Sequence, residues 1–169
     1  MSEEARFIDN GDGTIYDKLF NLTWMKNDSY LDLKKFLSFS QAKKYVDKIN
    51  KETFAGHSNW RLPNKKEAQS LYDYSHNHSV LDKYGMKLHI DPVFPPGGGY
   101  NTWTSETRGK ITAYVFQYSD GGGQHNEVDG TVSTSVRLVR GDANADELSK
   151  LGKIPPPKTT TPIGGGGWR

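Results

Sequence analysis

The pattern of apolar and polar positions predicts one long amphipathic helix. Apolar residues recur at the i, i+3, i+4 and i+7 positions expected for a single helix face, namely Ala42, Tyr45, Val46 and Ile49. Ser38 followed three residues later by Gln41 is a capping-box pattern, which satisfies the first free backbone N–H groups of a helix. The segment therefore predicts a helix that begins after Ser38 and ends near residue 50.

A second helix is predicted after residue 64. Asn64 is a favourable N-cap, and Glu67 stands where its carboxylate can reach back to the backbone N–H of the cap. The apolar positions that follow give this helix a buried side formed by Ala68, Leu71 and Tyr72.

The four residues before this helix, WRLP at 60–63, combine an indole, a guanidinium and a proline. Pro63 keeps the chain extended, and Trp60 and Leu62 alternate with Arg61 as in a short strand. We interpret the motif as scaffold, with Arg61 hydrogen-bonding loop carbonyls or a carboxylate. The residues expected to have structural roles are Trp24, Trp60, Arg61, Leu62, Pro63 and Trp103.

Stretches rich in β-branched and aromatic residues predict several short strands. Residues 7–8 and 14–16 flank a turn-forming segment, so a hairpin is expected near the N-terminus. Further strands are expected at residues 22–25, 112–118 and 134–139. Because residues 119–130 are polar and glycine-rich, they predict a long surface loop between the last two strands. Helices and strands together indicate an α+β domain.

The length of 169 residues suits one compact domain and a tail. We place the domain at residues 1–142 and the tail at 143–169, which includes a possible short helix at 143–150 and a run of prolines and glycines. The tail is expected to dock on its own domain, on a sister chain or on a partner through Trp168.

Charge and composition exclude several classes of protein. The net charge is only +2 with scattered lysines, so no nucleic-acid partner is predicted. There is no cysteine, which excludes disulfides, thiolate metal sites and a cysteine nucleophile. No segment approaches the roughly 18 apolar residues of a membrane span. No export signal is seen in the polar first residues, and the compartment stays open.

Catalytic and metal-binding motifs are not found. The five histidines are scattered and form no His-Glu-x-x-His pattern. Asp9, Asp12 and Asp17 do not match a calcium loop, since glycines occupy two ligand positions. Neither a Gly-x-Ser-x-Gly elbow nor a phosphate-binding glycine loop is present. We therefore predict no enzyme, no cofactor and no metal, with a tertiary cluster of histidines and carboxylates as the catalytic alternative.

The polar segment at 119–130 is the best candidate for ligand binding. Aromatic rings cover the apolar faces of sugars, while amides and carboxylates match their hydroxyls. The predicted ligand-binding residues come from this segment and the neighbouring strand: Tyr100, Asn101, Arg108, Asp120, Gln124, His125, Asn126 and Glu127.

Six motifs appear in an order that resembles the Lcl C-terminal domain family. They are RFIDNGDGTIYDKLFNLTWMK, NWRLPNKKEAQSLYDYS, IDPVFP, YNTWTSET, AYVFQYSDGG and SVRLVRG. The family is a bacterial module named after the C-terminal domain of a collagen-like adhesin. The resemblance covers about residues 6–141. It implies a C-type-lectin-like fold with two helices, a small twisted antiparallel sheet and long loops that present the ligand surface.

The resemblance also implies a function and a location. The named adhesin's module is associated with trimers and with sulfated polysaccharides, and such modules lie outside the cell or on its surface. The signatures of calcium-dependent lectins are missing from this chain. Its Trp-Arg-Leu-Pro motif is similar to one in formylglycine-generating enzymes, but those enzymes need a cysteine for oxidation and this chain has none. We expect a non-catalytic module that binds a glycan or an acidic polysaccharide. The alternative is a module for protein binding or for assembly through the tail.

Overall fold

The computed structural model describes residues 5–129 and 133–158 of the chain. Within these residues, four helices and nine strands form a mixed structure whose sheets are all small and antiparallel. The helices are α1 (Ser29–Leu33), α2 (Phe39–Lys51), α3 (Lys65–Ser70) and α4 (Ala145–Ser149). The strands are β1 (Phe7–Asp9), β2 (Thr14–Asp17), β3 (Leu22–Met25), β4 (Val80–Leu81), β5 (Lys87–Leu88), β6 (Asn101–Arg108), β7 (Thr112–Gln117), β8 (Gly123–Glu127) and β9 (Val139–Arg140). The expected α+β class is confirmed.

Both predicted helices and their caps are confirmed. Ser38 Oγ accepts a hydrogen bond from the Gln41 N–H, and the Gln41 side chain accepts one from the Ser38 N–H. Asn64 and Glu67 make the same reciprocal pair at the start of α3. Each pair satisfies backbone donors that would otherwise have no partner inside the helix.

Helix α1 is an addition to the two helices expected from the sequence. It has five residues, too few for an amphipathic pattern to show. The side chain of buried Asp28 caps it by accepting from the Leu31 N–H, and its other oxygen accepts from the Gly99 N–H at 2.8 Å. Helix α4 lies inside the segment predicted to be helical after residue 143.

The N-terminal hairpin forms the first sheet, in the order β1-β2-β3-β9. Trp24 of β3 lies opposite Ile15 on one side and Val139 on the other, and all three are fully buried. Pairing of β3 with β9 therefore joins the beginning of the domain to its end.

The prediction of a loop at residues 119–130 is wrong for the central part of that segment. Residues Gly123–Glu127 form strand β8, which pairs along its length with β7. Polar and glycine residues have low strand propensity, but pairing with a buried neighbouring strand outweighs that preference. The third sheet is therefore β6-β7-β8, with β8 at its edge.

The predicted strand at 134–139 is regular only at its end, where Val139 begins β9. The preceding residues are buried, and their carbonyls accept from backbone N–H groups on two sides. Val136 accepts from Ser29, whereas Ser135 accepts from Trp103. The segment thus bridges the first half of the domain and β6 without joining a continuous ladder.

The apolar side chains form two clusters. One contains Trp24, Phe94, Phe116 and Tyr118, and the other contains Trp60, Trp103 and the buried face of α2. The three tryptophans expected to be structural are at most 3% exposed, as the scaffold interpretation requires. Pro63 is buried, and Leu62 packs against the second cluster.

The described part of the predicted tail, residues 143–158, lies against the domain. Leu148, Leu151 and Ile154 pack against the first apolar cluster. The backbone carbonyl of Pro155 accepts a hydrogen bond from the Gly123 N–H at 3.0 Å. Trp168 lies outside the described residues. Among those described, no helix combines the length and apolar character needed to cross a bilayer.

Candidate functional site

Two of the predicted ligand-binding residues are occupied by structural hydrogen bonds. Asn101 is 2% exposed, and its amide bonds to the backbone of Ser133 and Ser135. Asp120 accepts from the Gly122 N–H through one oxygen and from the Lys158 N–H through the other. Asn101 is therefore not available at the surface and fixes neighbouring chain segments, whereas Asp120 is partly exposed and its role as a ligand contact stays a prediction.

Tyr100 belongs to the same structural group. It is partly buried and packs against the first apolar cluster, and its carbonyl accepts from the Tyr118 N–H at 2.8 Å. Its role as a ligand contact stays a prediction, which the partly exposed ring still permits.

The remaining predicted residues do not form one surface, because β8 is a strand and its side chains alternate between faces. His125 lies opposite Tyr114, and Glu127 lies in register with Thr112 and Arg108. Gln124 and Asn126 point to the other face of the sheet, opposite Val115 and Ala113. Arg108, His125 and Glu127 therefore share one face and the two amides share the other.

A charged group, here called the sheet-end cluster, consists of Lys65, Glu106, Arg108, Tyr114 and His125. The Lys65 ammonium lies 4.3 Å from the centre of the Tyr114 ring and 3.3 Å from a Glu106 oxygen. The His125 ring packs edge-on against Tyr114 at 5.4 Å, and its Nε2 lies 4.0 Å from Glu106. The start of α3, the end of β6 and the middle of β7 and of β8 bring these groups together.

The positive charge of the sheet-end cluster comes from Lys65 and Arg108 and does not depend on His125. Burial, with Arg108 and Lys65 nearby, lowers the pKa of His125, although Glu106 opposes the shift. Burial and Glu106 raise the pKa of Tyr114 to about 12. The side chain of Arg108 is exposed and makes no hydrogen bond or ion pair to any residue that the structure describes. Its guanidinium is therefore free to bind an anionic group.

Arg61 of the WRLP motif bonds to a carboxylate and a carbonyl, as expected from the sequence. Its guanidinium makes two hydrogen bonds to the Glu67 carboxylate, at 2.7 and 2.8 Å, and one to the Gly141 carbonyl. Glu67 is almost fully buried and caps α3 at the same time. The ion pair thus ties the start of α3 to the end of β9.

An open cleft of about 830 Å³ is a second candidate site that the sequence did not predict. Tyr72, Tyr74 and Phe7 provide aromatic surface, and Asp73 and His78 provide polar groups. The histidines near the cleft form no metal-binding pattern in the sequence. The feature of the sequence that points to this cleft is the pair of tyrosines in YDY at 72–74.

Asp73 has a pKa far from its ordinary value. Partial burial raises its pKa, but hydrogen bonds from Ser75 and His78 outweigh burial and hold the pKa at about 2. Nδ1 of His78 lies 3.1 Å from the ionised carboxylate, which can only accept a hydrogen bond, so Nδ1 carries a proton. The pair is a hydrogen-bonded turn in which Nε2 has no partner among the described residues.

Metal coordination has no support in the described part of the chain, where no three histidine or carboxylate side chains converge suitably. His76 and His89 come together, but they stack face to face at 3.9 Å and do not point at a common centre.

Comparison with known proteins gives a family and no closer relative. Neither the curated proteins nor the solved structures include a significant match to the chain. The family model for the Lcl C-terminal domain matches residues 13–140, from the first hairpin through β9. This protein therefore belongs to the Lcl C-terminal domain family.

Proposed function

We propose that the domain is a non-catalytic module that binds an acidic polysaccharide through the sheet-end cluster. The observation that carries the proposal is the exposed guanidinium of Arg108, which has no partner among the described residues. An arginine can bind a sulfate or carboxylate group with two parallel hydrogen bonds, which makes it well suited to this ligand class.

Neighbouring groups support the same proposal. Lys65 lies beside the Tyr114 ring and pairs with Glu106, and with Arg108 it gives the cluster two cations against one carboxylate. The cleft is the less suitable site for a polyanion, because ionised Asp73 lines it and Arg6, its one arginine, is already paired with Asp17.

We also propose a C-type-lectin-like fold for the domain. Two capped helices, small antiparallel sheets and long irregular connections support that architecture. In this arrangement the rigid cores hold the exposed sheet end in a fixed geometry, which lowers the entropic cost of binding.

Titration of the folded protein with heparin, with dextran as the uncharged control, tests the proposal. Arg108→Ala should weaken heparin binding about 10- to 100-fold, since a hydrogen bond to a charged group contributes about 1.5–3 kcal/mol. Lys51→Ala removes the same charge from α2 and should leave binding nearly unchanged. Added salt should weaken binding by screening the charges. Equal losses in both variants, or no binding by folded protein, would refute the proposal.

An acid–base enzyme is the second candidate, and the Asp73–His78 pair in the cleft is the observation that favours it. A carboxylate that holds Nδ1 and leaves Nε2 free is an arrangement used for general bases. Hydrolysis of p-nitrophenyl acetate that disappears in His78→Ala, but persists in the exposed-site variant His57→Ala, would establish catalysis and overturn the non-catalytic proposal.

A further inference from the structure

The β4–β5 hairpin exposes an unusual concentration of large apolar side chains. Leu81 is 51% exposed, Tyr84 is 67% exposed and Met86 is 39% exposed. Single exposed apolar residues are ordinary, but three within one turn form a patch of the kind that marks an interaction surface.

The turn that presents these side chains is held in one conformation. Asp82 Oδ1 accepts from the N–H groups of both Tyr84 and Met86, at 2.8 and 2.7 Å. The hairpin is also bonded to the loop beside it, since the Lys83 N–H donates to Gly98 and the Gly97 N–H donates to Leu81. The apolar side chains are therefore exposed by a defined turn with paired backbone groups.

Lysines surround this turn. The Lys83 ammonium lies 4.5 Å from the centre of the Tyr84 ring, 4.6 Å from that of Tyr30 and 5.6 Å from that of Phe36. Lys87 lies opposite Leu81 in the hairpin register, so both side chains are on its outer face. Lys34 and Lys35, which precede Phe36, are exposed as well.

Lysines outnumber the acidic groups near the turn. Asp82 is 4% exposed and bonds to the turn, whereas Asp32 is exposed and accepts a hydrogen bond from the neutral Tyr45 hydroxyl at 2.8 Å, which does not offset its charge. The surface formed by the hairpin and residues 30–36 therefore has four lysines, Lys34, Lys35, Lys83 and Lys87, against these two carboxylates, and it is positively charged, with apolar and aromatic groups at its tip.

We propose that this hairpin docks the protein on an anionic membrane surface. Leu81, Tyr84 and Met86 enter the boundary between headgroups and acyl chains, where amphipathic aromatic rings are favoured. The lysines behind them contact lipid phosphates while their apolar stems remain against the rings.

The shape of the patch favours a bilayer over a protein partner. A stable protein interface takes about 20–30 residues from each side, whereas this patch comprises one short hairpin and a neighbouring loop. A narrow, rigid turn with apolar tips can penetrate a fluid interface without matching the shape of a second surface.

Co-sedimentation with vesicles of phosphatidylcholine, with and without phosphatidylglycerol, tests the proposal. The full chain should bind the anionic vesicles, and Lys83→Gln should reduce the partition coefficient about fivefold, the value expected for one lysine near an anionic surface. Binding should fall further in a Leu81→Ser/Met86→Ser variant, and all these losses should occur without a change in melting temperature.

Ile111→Ser is the matched control, since Ile111 is 69% exposed on the β6–β7 turn. This variant should bind vesicles as the original protein does. Equal binding to neutral and anionic vesicles, or an equal loss in Ile111→Ser, would overturn the proposal. Self-association in the absence of vesicles that depends on Leu81 and Met86 would also overturn the proposal, because the patch would then bind a second copy of this chain.

Discussion

Trp60→Ala provides the most direct test of the scaffold interpretation. The indole is 2% exposed, lies 5.9 Å from the Phe54 ring in an edge-on arrangement, and donates from Nε1 to the Phe54 carbonyl at 3.0 Å. Asn50 bonds to both the N–H and the carbonyl of Trp60, at 2.7 and 2.8 Å. The residue therefore joins the end of α2 to the segment that leads into α3.

The magnitude follows from these contacts. Replacing a buried large aromatic residue by alanine costs about 3–5 kcal/mol, which includes the cavity left behind. Loss of the indole hydrogen bond adds about 1 kcal/mol, so we expect the free energy of unfolding to fall by about 4–6 kcal/mol. For a chain of this size each kcal/mol lowers the melting temperature by about 2–4 °C, which gives a fall of about 8–24 °C.

Urea unfolding followed by circular dichroism measures the effect. Trp60→Phe keeps most of the ring volume but loses the Nε1 donor, so it should cost about 1–2 kcal/mol. A loss below about 1 kcal/mol in Trp60→Ala would contradict the burial argument, because no buried tryptophan is removed so cheaply. Unchanged stability together with altered ligand binding would place Trp60 at a recognition surface instead.

Two further predictions concern the ion pair and the histidine stack. Glu67→Gln should lower the free energy of unfolding by about 2 kcal/mol, because it removes the charged partner of Arg61. The control Glu52→Gln, at an exposed ion pair, should lower it by less than about 0.5 kcal/mol. Urea titration measures both variants. Burial and the neighbouring His76 lower the pKa of His89, so the unfolded chain takes up a proton there more readily than the folded one. The contribution of His89 to stability is complete above the ordinary histidine pKa of about 6.5 and should fall as the pH drops below it. Melting temperatures of His89→Gln should therefore decrease less steeply with falling pH than those of the original protein. An unchanged pH dependence in that variant would exclude His89 as a cause.

The local elements could be predicted from the sequence because their determinants lie within a few residues of each other. Ser38 and Gln41, like Asn64 and Glu67, are three positions apart, and a cap needs no distant partner. The first hairpin depends equally on a local turn. The burial of Trp60 could be predicted as well, since a large aromatic residue before an amphipathic helix has few other places to pack.

The candidate site could be predicted only in part. The sequence indicated that Arg108 and His125 belong to a binding surface, and the structure brings them to one face. It gave no sign that Lys65 and Glu106 join them, because those contacts link α3 to β6 across the fold. Nor could it show that Asn101 turns inward, since an asparagine beside a strand is compatible with exposure or burial.

The sequence by itself determined the class of the fold, its two principal helices and their buried faces, and the burial of the three tryptophans expected to be structural. Tertiary structure decided that a polar, glycine-rich segment becomes strand β8, and that the alternation of this strand sends the amides of Gln124 and Asn126 to the opposite face from His125. The physical reason is that strand pairing and side-chain orientation depend on a partner strand and on its register, which a list of residues in chain order does not specify.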